Sequence, residues 1–162
     1  MALSSRHGGW AIAASIVVAL LLTTLPVPLW ATVWRPAWVA VVLIYWCMAV
    51  PNRVGIVVGW ILGLVLDVHS GTLLGQHALG MSVMAYVTLT IHQRVRVLPL
   101  WQQGLSVFGL VFVYNTLTLW INGVQGKSVD AIAYWTIPFM SMVLWPWIFI
   151  ILRDVRRRFR VS

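Results

Sequence analysis

Between Arg6 and Arg153 the chain contains six stretches with no Asp, Glu, Lys or Arg: 7–34, 36–52, 54–66, 68–93, 97–126 and 131–152. A bilayer core of about 30 Å takes roughly 20 helical residues. The first, fourth, fifth and sixth stretches reach that length. The second is short and the third shorter. The remaining supply of charge is too small to build a water-soluble surface. Asp67, Asp130 and Asp154 are the only acids, there is no Glu, and 9% of the 162 residues are charged, against about a quarter in a soluble domain. The abundance of Leu, Ile, Val and Trp excludes a disordered chain. The single Cys47 excludes an internal disulfide and a thiolate metal cluster. What remains is an all-α integral membrane protein, a compact bundle of about six transmembrane helices.

The net charge of +8 would point to nucleic acid if the basic residues formed a face, but they do not. Five of them, Arg153, Arg156, Arg157, Arg158 and Arg160, crowd the last ten positions, and the rest sit singly between apolar stretches. That pattern fixes membrane orientation. With the N-terminus in the cytoplasm, Arg6, Arg53, Arg94, Arg96 and the five C-terminal arginines lie inside, and only Arg35 and Lys127 lie outside. The expected spans are 10–30, 36–52, 54–68, 77–93, 99–121 and 131–152, in one membrane domain with a basic cytoplasmic tail over 153–162. If the second and third stretches formed one re-entrant hairpin instead, Arg53 would enter the membrane, which is costly without a partner. The first stretch is read as a retained anchor, because no A-x-A site follows it and Pro26, Pro28 and Trp30 resemble an interfacial helix end. All eleven tryptophans lie within a turn or two of a span end, as aromatic belts do.

In the third stretch, Gly59, Gly63 and Asp67 are spaced four apart and share a helical face. Two small residues let another backbone approach closely. Asp67 is the sole acid within the apolar part of the chain, and an intramembrane carboxylate marks a functional site by default. It is expected to pair with Arg35, predicted on the same side, or with loop backbone, pinning the first three helices together. Gly71 and Gly75 allow a tight turn into the fourth span, with positive φ available. His69 and His77 flank this turn, but a Gly-rich loop gives no fixed metal geometry, so neither metal nor cofactor is expected. His7 and His92 are read as interfacial.

Catalysis has little support. An aspartyl mechanism needs two carboxylates at one site, and Asp130 and Asp154 lie in other segments. A serine mechanism needs a base beside the nucleophile, and no His lies within an apolar span. A small-solute transporter subunit is the alternative of another class. The polar residues available to it are few: Asn115, Thr116 and Thr118 in the fifth span, and Ser82, Thr88 and Thr90 in the fourth. No interrupted helix repeats between the two halves. In the last span Pro146 removes a backbone hydrogen bond and can kink the helix. The arginine tail beyond it suits anionic lipids or an acidic cytoplasmic partner.

Several blocks occur in order along nearly the whole chain: Arg35-Pro36-Ala37-Trp38; Tyr45-Trp46 with Pro51-Asn52-Arg53; Gly59-x-x-x-Gly63-x-x-x-Asp67 with Ser70-Gly71-x-x-Leu74-Gly75; Leu100-Trp101-Gln102-Gln103; and Leu144-Trp145-Pro146-Trp147-Ile148-Phe149 with Arg153 and Val155-Arg156. Together they resemble the MreD family of bacterial rod shape-determining membrane proteins. The resemblance implies a multi-pass protein of the bacterial inner membrane with both termini cytoplasmic. It implies association with MreC, and a place in the elongation machinery with MreB, RodA and a class B penicillin-binding protein. It implies a role in rod shape without catalysis, and a fold similar to the substrate-binding subunits of energy-coupling-factor vitamin transporters. Candidate grip sites are the Gly59 and Gly63 face, the turn from Asp67 through Gly71 to Gly75, Arg35, and the tail arginines.

Overall fold

A helix that is apolar on every side has to be surrounded by others, and the segment Trp38–Ala49 has that character: its ten residues from 39 to 48 are all buried. In a computed structural model, which describes residues 8–161, this segment is the central post of an all-helical bundle. The order is α1 (Gly9–Thr24), α2 (Leu29–Thr32), α3 (Trp38–Ala49), α4 (Ile56–Ser70), α5 (Gln76–Arg96), α6 (Leu100–Val124) and α7 (Ala131–Arg158). Around α3 stand α1, α5, α6 and α7, while α4 packs chiefly on α5, α5 on α6, and α6 on α7. Leu43, Ile44, Trp46, Met81, Met84 and Trp145 are its largest fully buried apolar side chains.

Two helical segments, Leu100–Val124 and Tyr134–Arg158, are long and apolar enough to cross a membrane, while α1, α3 and α4 are shorter apolar helices. At 1.5 Å per residue, α3 is only about 18 Å long. The expected first span, 10–30, stops early. The residue before a proline is pushed out of the helical region, so Leu25 turns extended ahead of Pro26 and α1 ends at Thr24. The basic stretch 153–162 continues α7 as helix through Arg158, as basic residues are stabilising in a last turn. The start of α1 meets the end of α7: Trp10 packs edge-on against Phe159 with ring centroids 4.3 Å apart, and Gly8 lies against Val161. Arg6 and His7 fall outside the described residues.

Of the eleven tryptophans expected near span ends, eight are exposed, Trp38 is half-buried, and Trp46 and Trp145 are fully buried. Each buried indole donates a hydrogen bond, Trp46 to Ser15 Oγ at 2.8 Å and Trp145 to Gln103 Oε1 at 3.3 Å. Those two acceptors let the rings serve as core rather than belt.

Gly59 and Gly63 form the contact of α4 with α5. A Cβ on Gly63 would lie 2.2 Å from Ala78 Cα, and one on Gly59 would lie 3.1 Å from the Met81 carbonyl oxygen. This face is internal packing and is not open to a partner. Within α7, Pro138 has no N–H for the carbonyl four residues earlier. That carbonyl, on Tyr134, accepts instead from Asn115 Nδ2 of α6 at 3.0 Å, as a proline in a bundle helix requires of its neighbours.

Two outcomes follow from these contacts. Gly63→Ala should lower the stability of the detergent-purified protein by about 1–3 kcal/mol, whereas Gly109→Ala, with open space around it, should leave the thermal midpoint unchanged or raised. Asn115→Ala strands the Tyr134 carbonyl and should cost about 1–3 kcal/mol; adding Pro138→Ala restores a donor within α7 and should recover much of that loss in the same melting assay.

Candidate functional site

The first turn of a helix leaves its N–H groups without partners inside the helix. At α5 the residue that would normally cap them, Gly75, has no side chain to do so. Asp67, at the end of α4, does it from across the turn. Its side chain is fully buried. Oδ2 accepts from the Gly75 amide at 2.8 Å and the Ala78 amide at 3.4 Å. Oδ1 accepts from the His77 amide at 2.8 Å and from Thr72 Oγ1 at 3.0 Å. His77 Nδ1 also stands 2.8 Å from Oδ1. The carboxylate is thus fully engaged, and it sits at the positive end of the α5 dipole, where an anion is favoured. The turn also closes on itself, as the Thr72 amide donates to the Asp67 carbonyl at 3.1 Å. Gly71 at φ 63° ends α4 and Gly75 at φ 102° starts α5, conformations that a side chain would resist.

Of the two partners expected for Asp67, Arg35 does not pair with it and the loop backbone does, through the Gly75 and His77 amides; the helices pinned are α4 and α5 rather than the first three. Arg35 caps a different helix: its Nη2 donates to the carbonyls of Leu22 and Leu25, both at 3.3 Å, at the negative end of α1. The two oppositely charged residues each compensate a helix terminus. His69 is exposed, while His77 stands against Asp67; among the described residues no group of three or more His, Cys, Asp or Glu side chains gathers as a metal site would require.

Sequence reasoning missed a polar belt that extends this site around the same end of the bundle. Gln76, beside the cap, donates to Asn122 Oδ1 at 2.8 Å and accepts from Gln125 at 3.3 Å. Asn122 in turn donates to the Tyr134 hydroxyl at 2.8 Å, joining α5, α6 and α7. Thr136 reaches the Val33 carbonyl, and the Ala37 amide donates to Ser141 Oγ at 3.2 Å, joining α7 to the start of α3. The amide side chains in otherwise apolar helices were the available signal. A cavity of about 320 Å³ lies inside this belt, lined among others by Arg35, His77, Tyr114, Asn115 and Tyr134.

The tail arginines lie at the opposite end. Arg153, Arg157, Arg158 and Arg160 are exposed and Arg156 is half-buried.

If Asp67 is the cap of α5, Asp67→Ala should release the amides of Gly75, His77 and Ala78, each unmet buried donor costing about 1–3 kcal/mol. Hydrogen exchange should accelerate at those amides first, while Arg35→Gln should leave them protected. The reciprocal exchange, Arg35→Asp with Asp67→Arg, should rescue nothing.

Comparison with known proteins agrees with the residue blocks. A family profile described as rod shape-determining protein MreD matches residues 4–155. The rod shape-determining protein MreD of Haemophilus influenzae is 36% identical over 148 residues, which cover 90% of each chain. No solved structure matches. The chain belongs to the rod shape-determining protein MreD family.

Proposed function

We propose that this chain is a non-enzymatic membrane scaffold of cell-wall elongation. It crosses the bacterial inner membrane six times with both termini cytoplasmic, and acts in rod shape by holding MreC and, through it, RodA, a class B penicillin-binding protein and MreB. The meeting of α1 with the end of α7 supports an even number of crossings. Arg53, Arg94, Arg96 and the tail arginines stand at that same end, as the cytoplasmic excess of basic residues requires.

One observation carries the scaffold reading. The buried carboxylate is spent on shaping the turn between α4 and α5, and that turn displays apolar side chains outward: Leu73 is 60% and Leu74 68% exposed. A charge buried to fix a loop that presents two leucines serves recognition rather than chemistry. On this reading the turn faces the periplasmic side and meets MreC there.

The cavity inside the polar belt favours a second reading, a solute-binding subunit. Its polar groups are largely committed, however: Arg35 to carbonyls, Asn115 to Tyr134 and His77 to Asp67. A small molecule that co-purifies, with no membrane protein beside it, would favour this reading over the scaffold.

A photoreactive residue placed at Leu73 or Leu74 in cells at native expression should yield an adduct with MreC. The same residue at Val57, exposed on α4 near the other end, should not. Equal adducts from all three positions, or none from the turn, would contradict the assignment.

A further inference from the structure

The end of the bundle where the start of α1 meets the end of α7 holds a feature that the shape-determining role does not explain. A cavity of about 210 Å³ opens between the ends of α3, α5 and α7 and the start of α6. Three arginines line it: Arg96 from α5, and Arg153 and Arg156 from α7. Arg156 lies against the Tyr45 hydroxyl. Tyr45 is held by edge or tilted contacts with Trp46, Trp145 and Phe149, with centroids 5.2, 6.4 and 5.7 Å away. Gln103, also on the wall, is fixed between the Leu98 carbonyl and the Trp145 indole.

Among the described residues no side-chain carboxylate lines this cavity. Asp154, 66% exposed, forms a long ion pair with Arg153 Nε at 4.0 Å and also acts on Tyr45, so Arg153 is partly compensated. Arg96 and Arg156 have no ion pair among the described residues, and like charges brought to one small space repel unless an anion joins them. Arginine offers a planar fork of donors that matches phosphate oxygens. The volume is below the roughly 300–1,000 Å³ of sites that enclose whole small molecules, so it suits one phosphate group with the atoms next to it. Met48, Ala49 and Phe149 form an apolar part of the wall, as an amphiphile requires. Basic pockets between helices at the cytoplasmic membrane face take lipid headgroups in this way.

We infer that Arg96, Arg153 and Arg156, with Tyr45 and Gln103, form a phosphate site for the headgroup of an anionic membrane lipid. The inference rests on the membrane orientation proposed above and is independent of MreC. It distinguishes Arg153 and Arg156, which face the cavity, from Arg157, Arg158 and Arg160, which do not line it.

Native mass spectrometry of the full chain in mild detergent tests it, with phosphatidylglycerol, zwitterionic phosphatidylcholine, inorganic phosphate or an acidic peptide added separately. Phosphatidylglycerol should be retained on the wild-type protein, and Arg96→Gln with Arg156→Gln should lower retention by about tenfold or more, two charge-assisted partners being lost. Arg53→Gln with Arg94→Gln removes the same charge from the same end but from residues that do not line the cavity, and should change retention by less than about twofold, whereas an effect of surface charge alone would make the two losses equal. Arg96→Gln alone, at an exposed position, should still lower retention measurably and guards against misfolding of the double variant. Equal losses in the two double variants would overturn the inference, as would equal retention of phosphatidylcholine. Occupancy by inorganic phosphate or by the peptide that excludes the lipid would overturn the lipid assignment. Loss of this site with the protein still in the membrane would leave the scaffold reading standing; absence from the membrane would remove both.

Discussion

The upper end of this bundle depends on one carboxylate placed in the first turn of a neighbouring helix. In an apolar surrounding an unmet N–H or an unmet charge each carries a substantial penalty, and Asp67 removes both at once. The amides of α5 gain acceptors, and the carboxylate gains four donors with His77 Nδ1 beside them at 2.8 Å. Because those donors come from Thr72, Gly75, His77 and Ala78, the path of the turn is set by the same bonds. Gly63 one helical turn earlier lets the backbones close up enough for the carboxylate to reach. Position, satisfaction and close approach are therefore one device, and Leu73 and Leu74 owe their outward placement to it.

The same economy recurs elsewhere. A chain with so few ionisable groups does not pair Arg35 with Asp67; it assigns each to a helix terminus whose partial charge it opposes. The carbonyl released by Pro138 is taken by Asn115, and the indoles of Trp46 and Trp145 by Ser15 and Gln103. The buried amide side chains of this bundle close gaps in helix hydrogen bonding or join neighbouring helices, while hydroxyls such as those of Thr88 and Thr118 bond back to carbonyls of their own helix. The arginine cavity at the other end departs from that rule, which is why it reads as a place for something brought in from outside.

The helical architecture was legible because runs without charge, once too long and apolar for a soluble surface, leave few alternatives, and each of the longer helices lies largely within one such run. The ends were less legible. Proline at 26 cut the first helix short, while the arginines after 152, read as a tail, are good helix formers at a favourable terminus. The face shared by Gly59, Gly63 and Asp67 was visible from spacing alone, but spacing does not say whether a glycine meets a partner or another part of its own chain; Ala78 answers that only in three dimensions. Arg35 and Asp67 invited pairing because they were the opposite charges predicted on one side. Loop backbone was the other partner open to Asp67 and is the one it takes, whereas the helix-end carbonyls that hold Arg35 carry no mark in a sequence. Trp46 and Trp145 were misplaced for a similar reason: an indole near a helix end is a belt residue unless a buried acceptor is waiting for it.

The account turns on which atoms surround one carboxyl group, and the composition makes that measurable, since three aspartates and no glutamate give a sparse side-chain carboxyl spectrum. Solid-state NMR on protein in bilayers, with carbon-13 in the aspartate carboxyls and nitrogen-15 throughout, reports those distances as dipolar couplings. The account predicts strong coupling from Asp67 to the amide nitrogens of Gly75 and His77. Coupling to the Arg35 guanidinium instead, or to no nitrogen, would contradict it.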